Sequence, residues 1–414
     1  MKNGKETNTH IEAKREKKIF DKCHAFKDAA EARKSGIYPF FKPIGKMAGT
    51  KVYIAGEEMI MAGSNNYLGL ATDERLKEAA RNAVDKFGTT CSGSRFMNGT
   101  LDLHEEFEDQ LAAFVEKESA VCFTTGYQTN LGAISALLGK GDHVITDKLN
   151  HASIMDGIFL SFGFHRNINL HRFKHNDIEE LEGILKKIPE DEGKLIVTDG
   201  VFSMEGDIVK LPEIRTLADT YGAGLYLDEA HAIGVAGETG RGSGEHYGSF
   251  DYADVVMCTF SKSFGSIGGF VAGDGPVIDY IKHFARPLIF SASMPPASIA
   301  AAMKALEIIK SEPERVARLR QIAEKMISGF KSIGYDVGNT ETPIVPLIIG
   351  DNDKTFALWR AFFQRGIYVN PVISPAVPPN RSLIRTSYMA THQDDELDRV
   401  LEIAEEEGKR LGLI

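Results

Sequence analysis

GLYLDEAH (224–231) and VVMCTFSK (255–262) decide the fold. Each begins with a short apolar run and ends on polar residues: Asp228 and His231 in the first, Thr259, Ser261 and Lys262 in the second. Apolar runs of this length read as strands covered on both faces, as in a parallel sheet. Working outward, similar runs occur at 120–123, 143–147, 194–198 and 269–272. Helix-like segments at 73–87, 104–115, 126–138, 151–161, 177–187 and 212–221 lie among them. Strands alternating with helices predict an α/β fold, with a large domain built on a mainly parallel sheet.

The pattern changes after Pro295 and Pro296. Long helices are expected at 298–311 and 313–333, strands at 344–349 and 383–387, and further helices at 353–365 and 394–411. These predict a smaller C-terminal α+β domain. Before the large domain, residues 1–18 read as a charged tail and 19–35 as an amphipathic helix ending near Gly36, with short strands at 51–55 and 59–61. The expected division is 1–50 for tail and helix, 51–295 for the large domain and 296–414 for the small one.

The 414 residues are 43% hydrophobic, enough for a sizeable core, and carry 48 Lys+Arg against 58 Asp+Glu, a net charge of −10. That balance argues against a nucleic-acid partner. Cys23, Cys91, Cys122 and Cys258 are widely spaced, which speaks against a disulfide framework or a structural zinc site and for free thiols in a reducing cytoplasm. The N-terminus lacks the apolar core of a secretory signal, and no apolar run approaches the ~18 residues of a spanning helix. The expectation is a cytoplasmic protein with no bound metal, leaving room for peripheral contact at the inner face of the membrane. Gly237, Gly240, Gly242 and Gly244 read as a tight-turn loop, because their spacing does not open a helix after a strand as a dinucleotide site requires.

Ligands of open parallel sheets collect beyond the carboxyl ends of strands. Asp228, His231, Asp199, Ser203, Thr259, Ser261 and Lys262 all follow expected strands, while His151 and the pair Gly126-Tyr127 open expected helices. Pyridoxal 5'-phosphate would use this combination. It needs a lysine amine for a Schiff base, a carboxylate beside the pyridine nitrogen, a ring against its face and donors for a dianionic phosphate. Lys262, Asp228, His151, and Gly126-Tyr127 with Ser261 supply that set.

The same residues fall in segments that resemble the α-oxoamine synthases: GTTCSGSRFMNGT (88–100), TTGYQTN (124–130), NHASIMDG (150–157), DGVFSMEGD (199–207), LDEAHAIGVAGETGRG (227–242), TFSKSFGSIGG (259–269) and FSASMPP (290–296). The resemblance spans about residues 37–412. It implies the fold-type I aminotransferase architecture and a homodimer with active sites at the subunit interface. It implies that Lys262 carries the cofactor, Asp228 meets the pyridinium nitrogen, His231 lies near the phenolic oxygen, His151 stacks on the ring and Ser203 places a hydroxyl nearby. Gly126, Tyr127, Thr259 and Ser261 take phosphate-side positions, and one of Ser291 to Ser293 reaches the partner subunit's phosphate.

Members of this family condense a small amino acid with an acyl-CoA and release carbon dioxide. The stretch YVNPVISPAVPPNRSLIRTSYMATH (368–392), with its Ser-Pro-Ala-Val-Pro loop at 374–378, resembles the bacterial serine palmitoyltransferase branch. MAGSNNYLGL (61–70) and YPFFKPI (38–44) are compatible with it. The substrates implied are L-serine and a long-chain acyl-CoA; glycine, alanine and cysteate stay open as alternatives. Arg385 matches the arginine that grips the substrate carboxylate. Asn65 or its neighbour Asn66 approaches the substrate. Lys262 doubles as the base at Cα, and His151 assists the acyl step. A non-catalytic partner subunit would be expected to lack the lysine that this chain retains.

Overall fold

The central strands of the large sheet bury both faces, whereas an edge strand such as Lys46–Ala48 lies exposed. The computed structural model describes residues 17–165 and 167–414. These divide into two compact units, the first ending at Phe41 and the second beginning at Lys42. In the second unit the strands are β1 (Lys46–Ala48), β2 (Lys51–Ile54), β3 (Glu57–Met61), β4 (Ser119–Phe123), β5 (His143–Asp147), β6 (Asn169–Phe173), β7 (Lys194–Asp199), β8 (Gly224–Asp228), β9 (Val255–Thr259), β10 (Gly269–Gly273), β11 (Ile344–Ile348), β12 (Ile367–Tyr368), β13 (Asn370–Val372) and β14 (Leu383–Ser387).

A seven-stranded sheet runs in the order β4-β10-β9-β8-β7-β5-β6. β10 pairs antiparallel with β4 and β9, whereas the pairs β9–β8, β8–β7, β7–β5 and β5–β6 are parallel. Alternate side chains enter two different cores. Ala120, Cys122, Leu225, Leu227, Val256 and Cys258 belong to one buried cluster. Val121, Phe123, Tyr226, Val255 and Met257 belong to another. This period of two buries both faces of the central strands. At roughly 25 cal/mol per Å² of apolar area removed from water, such two-sided burial makes these strands the stable centre of the fold.

The expected strands appear within a residue or two. β6 is an addition: Asn-Leu-His-Arg-Phe at a sheet edge buries only Phe173, so it offers no apolar run to read. Another addition is the helix Gly275–Phe284 after β10. The single helix expected over 19–35 is corrected to three pieces, Lys18–Phe20, Asp21–Ala25 and Asp28–Lys34, with Phe26 extended between the last two. None of these pieces holds a buried residue, so no packed face enforces one continuous helix. Of the tail expected over 1–18, residues 1–16 lie outside the described residues.

Two smaller sheets bear on the site. β11, β14 and β13 form an antiparallel sheet with β14 in the middle, which puts Arg385 opposite Pro346 on one side and Asn370 on the other. β1, β2, β3 and β12 form the second; β3 pairs in parallel with β12, tying residues 57–61 to a partner some 300 positions later in the chain.

Candidate active site

The central strands end in polar residues at one edge of the large sheet: Asp147 on β5, Asp199 on β7, Asp228 on β8 and Thr259 on β9. Register places Asp199 directly beside Asp228, and Asp228 beside Met257. Beyond this edge is a cavity of about 330 Å³, lined among others by Gly126, Tyr127, His151, Asp228, His231, Thr259, Ser261 and Lys262. Residues from five separate segments therefore meet where a parallel sheet gathers its ligands.

Asp228 is buried and firmly held. Asn130 Nδ2 donates to its Oδ2 at 2.6 Å, and the Ala230 amide donates to its Oδ1 at 2.9 Å. Asn130 is itself fixed by the Tyr226 hydroxyl (2.9 Å) and reaches Ser153 Oγ (2.9 Å). Ser153 Oγ lies 2.7 Å from His151 Nδ1, and the His151 amide donates to Asp199 Oδ2 at 2.9 Å. The His151 ring is exposed toward the cavity although its Nδ1 is engaged. Desolvation by the protein around the cavity pushes the His151 imidazole down, with the Asp228 charge opposing. Burial likewise pushes the Lys262 amine down against the pull of Asp228. Asp199 is held well above the ordinary carboxylate range, first by burial and then by the Asp228 charge. The neighbouring acids thus differ in environment, and the amine is biased toward its neutral, nucleophilic form.

On the opposite rim the backbone approaches closely. A Cβ on Gly126 would stand 2.4 Å from Thr259 Oγ1 and 2.5 Å from Thr259 Cβ, so only glycine fits there. The helix Gly126–Leu137 starts at this point, with Thr125 Oγ1 capping the Gln128 amide at 3.1 Å. Ser261 Oγ sits 2.9 Å from Thr259 Oγ1. A helix start with two adjacent hydroxyls suits a phosphate. Tyr127 bonds to Asp156 through its hydroxyl. Nearby, Ser291 Oγ accepts from Gln128 Nε2 at 3.1 Å, whereas Ser293 turns to the Gly93 carbonyl at 3.0 Å.

Arg385 forms the second part of the site. It is 5% exposed. Nε donates to the Ser203 carbonyl at 2.6 Å, Nη1 to Ser387 Oγ at 3.3 Å, and Nη2 to Asn65 Oδ1 at 3.0 Å and the Tyr67 hydroxyl at 3.4 Å. Every one of these acceptors is neutral. The Tyr67 hydroxyl is also 2.8 Å from His231 Nδ1, which links this cluster to the cavity. Burial drives the His231 imidazole well below its ordinary range, and the charges of Lys262 and Arg385 act in the same sense. Of the two candidate asparagines, Asn65 faces Arg385, while Asn66 is buried and accepts the Ala71 amide at 3.1 Å in a turn. Ser203 meets Arg385 through its carbonyl.

Asn130, Ser153 and Tyr67 join the site without being among the residues expected from the sequence, and Asp199 gains a role here as the acceptor of the His151 amide. Asn130 and Ser153 lie inside motifs already singled out, but they act through other side chains, which motif spacing does not display. Tyr67 looks like an ordinary core aromatic, and only the three-dimensional contact shows its hydroxyl between His231 and Arg385.

The arrangement fits pyridoxal phosphate: a depressed lysine amine, a fixed carboxylate, an exposed imidazole and a helix start converge on one cavity. Comparison with known proteins agrees. The family described as aminotransferase class I and II matches residues 57–403. The chain is 48% identical over 385 residues to serine palmitoyltransferase of Sphingobacterium spiritivorum, covering 93% of this chain and 95% of that protein. It is 41% identical over 385 residues to 8-amino-7-oxononanoate synthase of Thermoanaerobacter pseudethanolicus, covering 93% and 96%. A solved serine palmitoyltransferase with pyridoxal phosphate superposes with a TM-score of 0.91 at 36% identity, covering 96% of this chain and 99% of that one.

Proposed function

We propose that this chain, which belongs to the class I and II aminotransferase family and within it to the α-oxoamine synthases, is a pyridoxal-phosphate-dependent acyltransferase that joins L-serine to a long-chain acyl-CoA. The products are 3-ketodihydrosphingosine, coenzyme A and carbon dioxide, so the enzyme would open sphingolipid synthesis. The observation that carries the reading is a buried Arg385 whose bonds all go to neutral groups, joined through Tyr67 and His231 to the Lys262 cavity. A buried guanidinium without a counter-charge is costly, and a substrate carboxylate supplies that charge. The choice of serine rests on the relatives of 43–48% identity that bear the serine palmitoyltransferase name, and on the loop at 374–378.

When bound, pyridoxal phosphate supplies an electron sink that lets bonds at the amino-acid Cα break. Lys262 would hold it as a Schiff base and would serve as the base at Cα; its depressed basicity suits both tasks. Asp228, fixed by Asn130, would keep a proton on the ring nitrogen. His151 would stack on the cofactor ring and assist the acyl step, and His231 would lie near the cofactor's phenolic oxygen. Thr259, Ser261 and the amides at Gly126 and Tyr127 would hold the phosphate. Arg385 and Asn65 orient the carboxylate that is later lost as carbon dioxide.

A homodimer with shared active sites, residence in the cytoplasm and peripheral contact with the inner face of the membrane form part of the same proposal. Among the described residues, no helix is long and apolar enough to cross a membrane.

Lys262→Ala is expected to abolish both turnover and the absorbance of the lysine-bound cofactor; retention of both rejects the assignment. Spectral titration with serine, glycine, alanine and cysteate, paired with coenzyme A release, tests the substrate. A clear preference for glycine or alanine would move the chain to another branch.

A further inference from the structure

Outside the cavity, one histidine stands between two carboxylates. His175 follows β6, and its Nδ1 lies 3.3 Å from Asp147 Oδ2 at the end of β5. Its Nε2 lies 2.7 Å from Asp207 Oδ2. The ring meets Phe202 edge-on at 4.3 Å between centroids. Asn176 reinforces both contacts: its amide donates to Asp147 Oδ2 at 2.8 Å and its Nδ2 to Asp207 Oδ2 at 3.2 Å. Burial alone would push the imidazole down, but the hydrogen bonds and charges of Asp147 and Asp207 outweigh it and raise it to about 10. At neutral pH the ring is therefore a cation donating from both nitrogens.

Asp207 closes a turn. The Phe202 amide donates to the Asp207 carbonyl at 3.1 Å and the Gly206 amide to the Phe202 carbonyl at 2.9 Å. Between them lies Ser203, whose carbonyl takes the 2.6 Å bond from Arg385 Nε. On its other flank the turn is held at the Gly206 carbonyl by Thr342 Oγ1 at 2.9 Å. The position of the Ser203 carbonyl is thus set from both sides, and His175 is the charged clamp on the side of the large sheet.

We infer that His175 is a positioning residue for the substrate carboxylate: it locks the 202–207 turn to the ends of β5 and β6, and so fixes the carbonyl that aims Arg385. The inference rests on reading Arg385 as the carboxylate grip. It predicts a defect specific to the carboxylate, because His175 lines the neighbouring cleft rather than the Lys262 cavity. An ordinary structural histidine would weaken cofactor, amine and carboxylate binding together.

The test uses the cofactor-loaded enzyme and two amines, serine and ethanolamine, which differ by the carboxylate. His175→Ala is expected to raise the serine dissociation constant from spectral titration, and the serine KM, about tenfold, a 1.4 kcal/mol change. The kcat at saturating serine, the cofactor content and the ethanolamine response stay within about twofold. His175→Gln, which retains size and one donor, gives a smaller rise in the same constants. In an Arg385→Ala background, His175→Ala adds nothing further, since neighbours acting through one contact are not additive. Equal weakening of serine and ethanolamine, or unchanged serine binding, overturns the proposal. Should glycine or alanine prove the true substrate, the same comparison is made with that amino acid against its decarboxylated amine, so the clamp and the choice of serine fail separately.

Discussion

Glu229 sits immediately after Asp228 and shows how much a single buried carboxyl can weigh. It is 2% exposed, accepts the Ser243 amide at 2.9 Å and bonds the Ser243 hydroxyl. Burial raises it from 4.5 to about 7, despite these bonds. Because the folded value is raised, the linked stability is fully present below the unfolded value and is lost as pH rises through about 7. The thermal midpoint of the wild type is expected to fall from pH 5 to pH 8, and Glu229→Gln to flatten that slope. The substitution should gain ~1–3 kcal/mol relative to wild type at the upper end. Identical pH slopes for the two proteins would refute this. For Arg385→Ala, the loss of a charge-assisted contact predicts a ~10- to 100-fold rise in serine KM or a comparable slowing of carbon dioxide release. Unchanged kinetics with every amino acid tested would remove Arg385 from the substrate site.

At the level of elements, the junction between β9 and the helix Gly126–Leu137 is an exacting contact at the cavity. Gly126→Ala would drive a methyl into Thr259 and displace either the helix start or the two hydroxyls. Cofactor affinity is expected to fall by about tenfold or more while the thermal midpoint moves only a few degrees, checked by equilibrium dialysis of the cofactor. A normal cofactor constant would show that the junction yields. This scale also shows what the sequence reveals. β8 and β9 were legible because two buried faces produce a continuous apolar run with the reactive residue at its end. β6 was not, because an edge strand with a single buried side chain carries no such run. The polar residues at the ends of β5, β8 and β9 pick out His151, Asp228 and Lys262 from the sequence alone. The contacts through Asn130, Tyr67 and His175 are tertiary: each joins segments distant in sequence, so local patterns hold no trace of them. The N-terminal helix failed for a related reason, since its periodicity had no packed face behind it.

At the scale of the whole molecule, the proposed homodimer has a concrete surface to test. Arg286 lies over Phe164 at 5.3 Å and over Phe290 at 4.8 Å, and Phe290 is 72% exposed. An exposed aromatic pair flanking a guanidinium, beside the serines at 291 and 293, is the composition of a contact patch. Light scattering is expected to give twice the chain mass for the wild type, with Phe290→Glu moving toward the single-chain mass and losing activity. A monomeric, fully active wild type would dismiss the dimer. The separation between the large sheet and the small three-stranded sheet has a further consequence. Lys262 and Asp228 hang from strands whose amides are shielded on both faces and should exchange with solvent deuterium slowly. Arg385 rides on β14, which is buried along its whole length and paired on both sides, but in a separate sheet. Deuterium labelling should therefore find slow exchange on both sides of the site, with the cofactor half and the carboxylate half anchored in two separately protected sheets.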